Sequence, residues 1–288
     1  MFFKRNKSNI TYAKKEGDKA LGVLINAPKI LPWSNNYSLL TKNIIWQLVN
    51  QESDVYMIEL SGHDEFDSRY SMMGQVINDL NSLENLLKEL LDEQERRTLI
   101  LEEDEFKSFG AFNENRFDSK KLKRKVVVID NYYNLLEKAN ISSIEQIQVE
   151  IIEKSLIKLI SSTKDTGINL IITDNEISKL NIELINKIQV KICGRHNERN
   201  SKLMLGDDRA RKLDCIASFF MKINNEIEFF EAYRFNEEKQ LKILESIKVE
   251  GKEPIFKIDF ETDINTILPG TLGDGKNFVL KDRSEDCV

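Results

Sequence analysis

Short apolar runs that do not alternate with polar residues constrain the fold of this chain more than any other feature. The main ones are VYMIEL (55–60), KVVVID (125–130), INLIIT (168–173) and IQVKI (188–192). Continuous hydrophobicity over so few residues, rich in valine and isoleucine, is typical of strands buried on both faces. With the opening run GVLIN (22–26), they predict an α/β fold in which a mostly parallel sheet has helices on both faces.

Helical patterns separate these runs, as parallel strands require. One amphipathic helix is predicted from leucines that recur at helical spacing, namely Leu83, Leu86, Leu87, Leu90 and Leu91. A second is predicted to begin at Ser143, with Gln146 completing a capping box. Its core-facing side is assigned to Ile144, Ile147, Ile151, Leu156 and Leu159.

The pattern of parallel strands and helices does not continue into the C-terminal part of the chain. ASFFMKI (217–223) and EIEFFEAYRF (226–235), separated by Asn224 and Asn225, predict an antiparallel hairpin beside the parallel sheet. We expect an N-terminal lead-in over 1–19, one domain over 20–235 and a partly mobile extension over 236–288.

Composition excludes several functional classes. The chain has 288 residues and a net charge of -6, so it has no overall positive field that would attract a nucleic acid. We interpret the basic run 120–125 as a solvated loop. Three distant cysteines and two histidines, His63 and His196, suggest neither a disulfide framework nor a metal site. No apolar run is long enough to span a bilayer and no signal peptide is recognisable, so we expect a cytoplasmic protein that meets the membrane only indirectly.

The segment between the first strand and the next helix is not suited to binding phosphate. A P-loop needs G-x-x-x-x-G-K-[ST], because glycines let backbone amides wrap the phosphates. Residues 27–38, APKILPWSNNYS, contain no glycine, and Pro28 and Pro32 remove amide donors. GTLGDGK (270–276) lacks the required spacing and follows no strand. We therefore expect no ordinary P-loop.

The strand 125–130 ends in Asp130, where an aspartate could hold magnesium through water. Asn131 follows it and cannot act as a base for hydrolysis. A structural alternative is that the Asp130 carboxylate caps the turn after the strand.

In order along the chain, these segments resemble the FtsK/SpoIIIE family of hexameric RecA-like motors over residues 20–235. VYMIELSGHDEF resembles the family's second strand, and INDLNSLENLLKELLDEQERRTLIL the helix ending in E-x-x-R-R. FGAFNENRF is similar to the segment around I-x-x-YN, KVVVIDNYYNLL to the Walker B strand, and GINLIITDNEISKL to the strand that carries the TQ sensor. INKIQVKICGRHNERNSKLMLGDDRARKL is similar to the block that follows. Within the family, these segments are most similar to those of the C-terminal ATPase modules of type VII secretion proteins called EccC or EssC.

The resemblance implies a RecA-like P-loop NTPase fold with a vestigial nucleotide site at Asp130, Asn131 and Asp174, the last standing where the family has its sensor. We expect no catalytic residue, no metal site and no bound cofactor, and binding of ATP and Mg is doubtful. Arg195 and Arg199 lie near the region from which such motors present arginines to a neighbouring subunit, although surface ion pairing is the alternative.

The leading hypothesis is a degenerate ATPase module that recognises substrate or regulates a type VII-like secretion motor at the cytoplasmic face of the membrane. Its expected partners are other ATPase domains, a homo-oligomer such as a hexamer, and a secreted helical protein. A groove with Trp33 and Tyr37 could receive that helix, or Trp33 could simply fill the vacant pocket. The alternatives are a DNA translocase or conjugative coupling ATPase, and an active ATPase with an unconventional phosphate site.

Overall fold

The computed structural model describes residues 22–26, 29–31, 34–50, 53–60, 66, 68–117, 120–140, 142–175, 177–213, 218–231 and 242. Its strands are β1 (Gly22–Asn26), β2 (Lys29–Leu31), β3 (Ser34–Asn35), β4 (Asp54–Glu59), β5 (Gln75–Ile77), β6 (Lys125–Asp130), β7 (Ile168–Asp174), β8 (Val190–Cys193), β9 (Ser218–Ile223) and β10 (Glu226–Glu231). Its α-helices are α1 (Asn36–Asn50), α2 (Leu80–Glu103), α3 (Phe109–Glu114), α4 (Tyr133–Lys138), α5 (Ser143–Ile160), α6 (Ile182–Lys187) and α7 (Glu198–Leu205). Short 3-10 helices cover Ser68–Met72, Ile177–Lys179 and Arg209–Lys212.

Eight strands form one sheet in the order β10-β9-β8-β1-β7-β6-β4-β5. The six strands from β8 to β5 pair in parallel, whereas β9 is antiparallel to β8 and β10 is antiparallel to β9. Asn224 has a left-handed φ of 56° in the turn between β9 and β10, a conformation that asparagine tolerates better than most residues. The predicted mostly parallel sheet and C-terminal hairpin are confirmed, while residues 232–235 of the predicted last strand lie outside the described part.

Both faces of the sheet are buried, which explains why its strands read as continuous apolar runs. Leu24, Leu170 and Ile172 face one core, which is completed by apolar residues of α2, α5, α6 and α7. Val23, Ile25 and Ile171 face a second core, which is completed by α1 and by Phe66, Tyr70 and Met73. The alternation along each strand therefore divides buried residues between two cores rather than between core and solvent.

The two longest helices, α2 and α5, lie side by side in the same direction. Near their starts, the Gln148 side chain donates hydrogen bonds to Asn81 and Glu84, and near their ends Gln94 Nε2 donates to the Leu159 carbonyl over 2.9 Å. Beyond that point the buried Arg97 of α2 donates to the Thr166 carbonyl over 3.0 Å, just before β7. These contacts fix the helices against the strand that carries Asp174.

Two predictions for α5 are wrong. The N-cap is Ser142 rather than Ser143: its hydroxyl accepts from the Glu145 N–H over 3.2 Å and donates to the Glu145 carboxylate. Of the predicted core-facing residues, Leu156 and Leu159 are buried but Ile144, Ile147 and Ile151 are exposed. The buried side of the helix consists of Val149, Ile152, Leu156, Leu159 and Ile160. The helix carries isoleucines on more than one side, and the side that also bears Val149, Leu156 and Leu159 is the buried one.

The run at 120–125 is only partly the solvated loop that was expected. Lys120, Lys121 and Lys123 are exposed, but Arg124 is buried, hydrogen bonds the Asn169 side chain and lies over the Phe109 ring. Lys125 enters β6 and pairs with Asp54 over 3.2 Å. Among the described residues, no helix is both long and apolar enough to cross a membrane.

Candidate functional site

The ends of four neighbouring strands, β1, β7, β6 and β4, meet at the carboxyl edge of the sheet. The register places Asn26, the last residue of β1, opposite Asp174, the last residue of β7. On the other side of β7, Asp130 ends β6 and lies opposite Glu59 at the end of β4. Asn26, Glu59, Asp130 and Asp174 are all buried. Parallel strands put polar side chains at this edge, where α/β proteins usually bind their ligands.

The carboxylate of Asp130 is engaged by the protein itself. Its Oδ1 accepts a hydrogen bond of 2.9 Å from the Thr173 hydroxyl, and the same hydroxyl oxygen accepts the Asn131 N–H over 2.9 Å. Asn131 has a left-handed φ of 49°, which is uncommon outside glycine. Its Nδ2 donates to Asn134 Oδ1 over 3.2 Å, and its own buried Oδ1 has no partner among the described residues. Thr173 therefore holds the strand end and the following turn together.

Asp174 is also fixed in place by the backbone around it. One carboxylate oxygen accepts the Tyr133 N–H over 2.7 Å, and its backbone carbonyl accepts from Asn26 Nδ2 over 2.8 Å. Tyr133 begins α4, so Asp174 satisfies an amide at a helix start, where a negative charge is favourable. Asp130, Asn131 and Asp174 thus lie together and are joined by hydrogen bonds through Thr173 and Tyr133. Their role as a vestigial nucleotide site stays a prediction.

The described residues between β1 and α1 form two short antiparallel strands, in which β2 pairs with β3 through Lys29 with Asn35 and Leu31 with Ser34. We call this pair of strands the β2–β3 hairpin. The helix α1 that follows begins Asn36, Tyr37, Ser38. Its first lysine, Lys42, lies in the second turn and is buried, with Nζ 5.6 Å from the centre of the Tyr70 ring. In the described part of this connection there is consequently no glycine loop, and no lysine at the start of the helix.

The structure describes some of the predicted site residues only in part. Trp33 lies outside the described residues, and of Tyr37 only the backbone position in α1 is described, so the proposed groove remains a prediction. Arg195 and Arg199 are both exposed, Arg195 after β8 and Arg199 in the first turn of α7. They share one end of the sheet's carboxyl edge with Asn26, whose carbonyl accepts the Gly194 N–H over 2.8 Å.

Sequence reasoning missed three contributors to this edge, namely Thr173, Asn26 and His196. From the sequence alone, His196 is assigned no role and a metal site is excluded, whereas in the structure it is partly buried and joins two segments. Its Nε2 lies 2.7 Å from the Asn175 carbonyl, and its Nδ1 accepts the Asn197 N–H over 2.9 Å. An acceptor at Nδ1 and a carbonyl at Nε2 require the neutral Nε2–H tautomer. The position of Thr173, directly before Asp174 at a strand end, was the available signal for that residue.

No group of three or more histidine, cysteine, aspartate or glutamate side chains in the described part of the chain could hold a metal ion. Cys193, the last residue of β8, is buried, and burial raises the pKa of its thiol to about 12. A thiol with so high a pKa stays protonated at neutral pH and is a poor nucleophile or metal ligand.

No protein-family model and no curated protein matches the chain. Solved structures do match it. The conjugation coupling protein TcpA of pCW3, in its monomer form with ATPγS, shares 27% identity with a TM-score of 0.71 over 80% of this chain. This chain has the FtsK/SpoIIIE-like ATPase fold.

Two type VII secretion proteins also show this FtsK/SpoIIIE-like fold. EssC (ATPases 2 and 3) from Geobacillus thermodenitrificans is 17% identical with a TM-score of 0.57 over 85% of the chain. Thermomonospora curvata EccC (ATPases 2 and 3), in complex with a signal sequence peptide, is 15% identical with a TM-score of 0.58 over 80% of the chain. The chain spans 66% of the TcpA structure, 45% of the EssC structure and 41% of the EccC structure. The predicted RecA-like P-loop NTPase fold is confirmed.

Proposed function

We propose that this chain is a non-hydrolysing module of an FtsK/SpoIIIE-like translocation motor, and that it acts by binding the motor's ATPase domains or its substrate. The observation that carries the proposal is the β2–β3 hairpin between β1 and α1. In a P-loop the backbone amides of this connection point inward at phosphate oxygens. In a hairpin the backbone groups of the paired residues are directed at each other.

The polar groups at the strand ends support the same proposal. An aspartate that holds magnesium through water must present its oxygens to solvent, whereas Asp130 is buried and its Oδ1 accepts from Thr173. Neither Asn131 nor Asn175 can act as a general base, since an amide has no basic site at neutral pH. The engaged Asp130 carboxylate and the two amides therefore support a module that does not hydrolyse a nucleotide.

A titration with a fluorescent ATP analogue and magnesium tests the proposal directly. We expect no saturable binding below about 1 mM, which corresponds to roughly -4 kcal/mol of binding free energy. Asp130→Ala should then give the same titration curve as the unaltered chain, and Arg199→Ala serves as a control with a charge removed elsewhere on the edge. Micromolar binding that Asp130→Ala abolishes, or magnesium-dependent phosphate release, would refute the proposal.

The type of motor is a separate question, and one observation favours conjugation. TcpA exceeds the EssC and EccC structures in both identity and TM-score. We therefore place a partner of a conjugative coupling ATPase first. A type VII-like secretion motor is the second candidate, because the EssC and EccC ATPase domains align over at least 80% of the chain and one of them was solved with a signal sequence peptide.

Co-elution on a sizing column distinguishes these candidates. We expect the chain to co-elute with a TcpA-type ATPase and not with an EssC-type tandem ATPase. The opposite preference would support the secretion motor. Binding to double-stranded DNA in the absence of a partner should be weak, since the net charge is -6; an affinity that falls about 1,000-fold between 50 and 200 mM salt would instead indicate direct DNA contact.

The exposed arginines and the predicted groove supply the contact residues in this proposal. Arg195 and Arg199 would lie at an interface with a neighbouring ATPase domain, and Trp33 and Tyr37 would receive a helical segment of the substrate. Arg195→Glu with Arg199→Glu should abolish co-elution, whereas Lys123→Glu, at the opposite edge of the sheet, should not. If all three substitutions leave co-elution unchanged, the arginines are surface residues without a partner role.

A further inference from the structure

Three exposed isoleucines form a row on α5 that no described part of the chain covers. Ile144, Ile147 and Ile151 are 76%, 60% and 41% exposed and follow one another at i, i+3 and i+7, so they lie on one side of the helix. Lys154 and Lys158 continue the same side by helical spacing, and Lys154 lies 4.0 Å from Glu150. We call these three isoleucines and two lysines the α5 stripe.

The size of the α5 stripe argues against a second protein as its only occupant. Its isoleucines extend over about 10 Å of helix, seven residues at a rise of 1.5 Å. A stable interface between two proteins usually buries about 800 Å² on each partner, which is 20 to 30 residues. A segment tethered to the same chain needs much less area, because a tether supplies an effective concentration in the millimolar range.

The chain carries a segment of matching chemistry beyond β10. Residues 254–268, PIFKIDFETDINTIL, combine seven large apolar side chains with three acidic residues, Asp259, Glu261 and Asp263, and one lysine. The apolar residues suit the isoleucines of the α5 stripe, and the acidic residues suit its lysines.

The topology brings this segment within reach. β10 is antiparallel to β9, which is antiparallel to β8, so β10 ends at the carboxyl edge of the parallel strands. α5 starts near that edge, because it follows β6 and α4 and leads back to the start of β7. Four strand spacings, about 19 Å, separate β10 from β7. The 22 residues from 232 to 253 are enough to cover this distance, since a chain of that length reaches at most about 70 Å between its ends.

We propose that residues 254–268 dock on the α5 stripe of the same molecule, with their apolar side chains on Ile144, Ile147 and Ile151 and their acidic side chains near Lys154 and Lys158. The C-terminal segment is thereby an internal ligand of this module, and it covers an apolar surface close to the candidate site. The inference does not depend on the proposed function, since it concerns how the chain folds on itself.

Thiol accessibility in the full chain tests this contact. Ile147→Cys is introduced with Cys215→Ser and Cys287→Ser, and Cys193 stays as an unreactive background because it is buried with a pKa of about 12. Leu99→Cys is the matched control, since Leu99 is an apolar α2 residue of similar exposure, 54%. The α2–α5 contacts place Leu99 level with the far end of α5, away from Ile147.

We expect a bulky maleimide to label Ile147→Cys about tenfold more slowly than Leu99→Cys, because labelling occurs only when the segment is open. Adding Phe256→Asp and Ile258→Asp should raise the rate to that of the control. Equal rates at the two cysteines would overturn the proposal, as would slow labelling that Phe256→Asp and Ile258→Asp do not change. Slowing that grows with protein concentration would assign the stripe to a second copy and would also overturn it.

Discussion

Two neighbouring arginines of α2 bind the same carboxylate but differ in burial, and we expect them to differ greatly in their effect on stability. Arg96 is 52% exposed and Arg97 is 2% exposed. Arg96 Nε lies 2.6 Å and Arg97 Nε lies 2.7 Å from an oxygen of Glu93. Arg97 alone also donates to the Thr166 carbonyl, over 3.0 Å, at the start of β7.

Replacing Arg97 by alanine should lower the free energy of unfolding by about 2.5 to 4 kcal/mol. The lost bond to Thr166 involves a charged donor and leaves a buried carbonyl unpaired, which costs about 1.5 to 3 kcal/mol. The removed side chain is among the largest that are fully buried, and the space it leaves adds at least about 1 kcal/mol. The total agrees with the usual cost of breaking a buried ion pair, about 3 to 5 kcal/mol.

Urea denaturation of the full chain, followed by circular dichroism, measures this difference. With a slope of about 3 kcal/mol/M, Arg97→Ala should lower the midpoint by about 1 M. Arg96→Ala should cost less than about 1 kcal/mol, because its ion pair is exposed to solvent. Equal losses in the two variants, or a loss below about 1 kcal/mol for Arg97→Ala, would show that burial does not decide the role of these arginines.

Three further predictions concern single residues. Gly167→Ala should destabilise the fold by about 3 kcal/mol, because φ at residue 167 is 74° and a Cβ there would lie 2.4 Å from Phe109 Cδ2. Thermal denaturation measures this loss, and an unchanged midpoint would contradict the prediction. Thr173→Val should cost about 2 kcal/mol by leaving Asp130 and the Asn131 amide without their shared hydroxyl, whereas Thr173→Ser should cost little in the same assay. Hydrogen bonds from Arg96 lower the pKa of Glu93 to about 2, so its stabilisation is complete above pH 4.5 and disappears as the pH falls towards 2. Discounted for partial exposure, that contribution is about 1 to 2 kcal/mol, and Glu93→Gln should remove this part of the pH dependence in urea titrations at pH 3 and pH 6.

The parallel sheet could be predicted from the sequence because each of its central strands is a continuous run of apolar residues. Burial on both faces requires apolar residues at successive positions, and β6 and β7 therefore stand out in the sequence with bounds accurate to one residue. α5 shows the limit of this approach. Ile144 and Ile147 fit a helical period as well as the buried residues do, and only the position of the sheet and α2 decides which side faces the core.

The candidate site could be predicted only in part. Asp130, Asn131 and Asp174 follow apolar runs, and parallel strands bring such ends together. Thr173 and His196 were missed because their roles depend on contacts between segments 42 and 21 residues apart. The absence of a P-loop pattern was visible in the sequence, but the β-hairpin in its place was not, since Lys29–Leu31 and Ser34–Asn35 are too short to give a strand signal.

Under the proposed function, the β2–β3 hairpin also limits how the module could regain ATP binding. Point substitutions that restored a glycine, a lysine or a glutamate would change side chains and leave the path of the main chain between β1 and α1 as it is. Recovery would require exchange of the whole connection for one of different length and curvature. A non-hydrolysing module of the kind proposed would therefore be hard to revert, so a partner that supplies the hydrolysis could come to depend on it as a permanent member of the assembly.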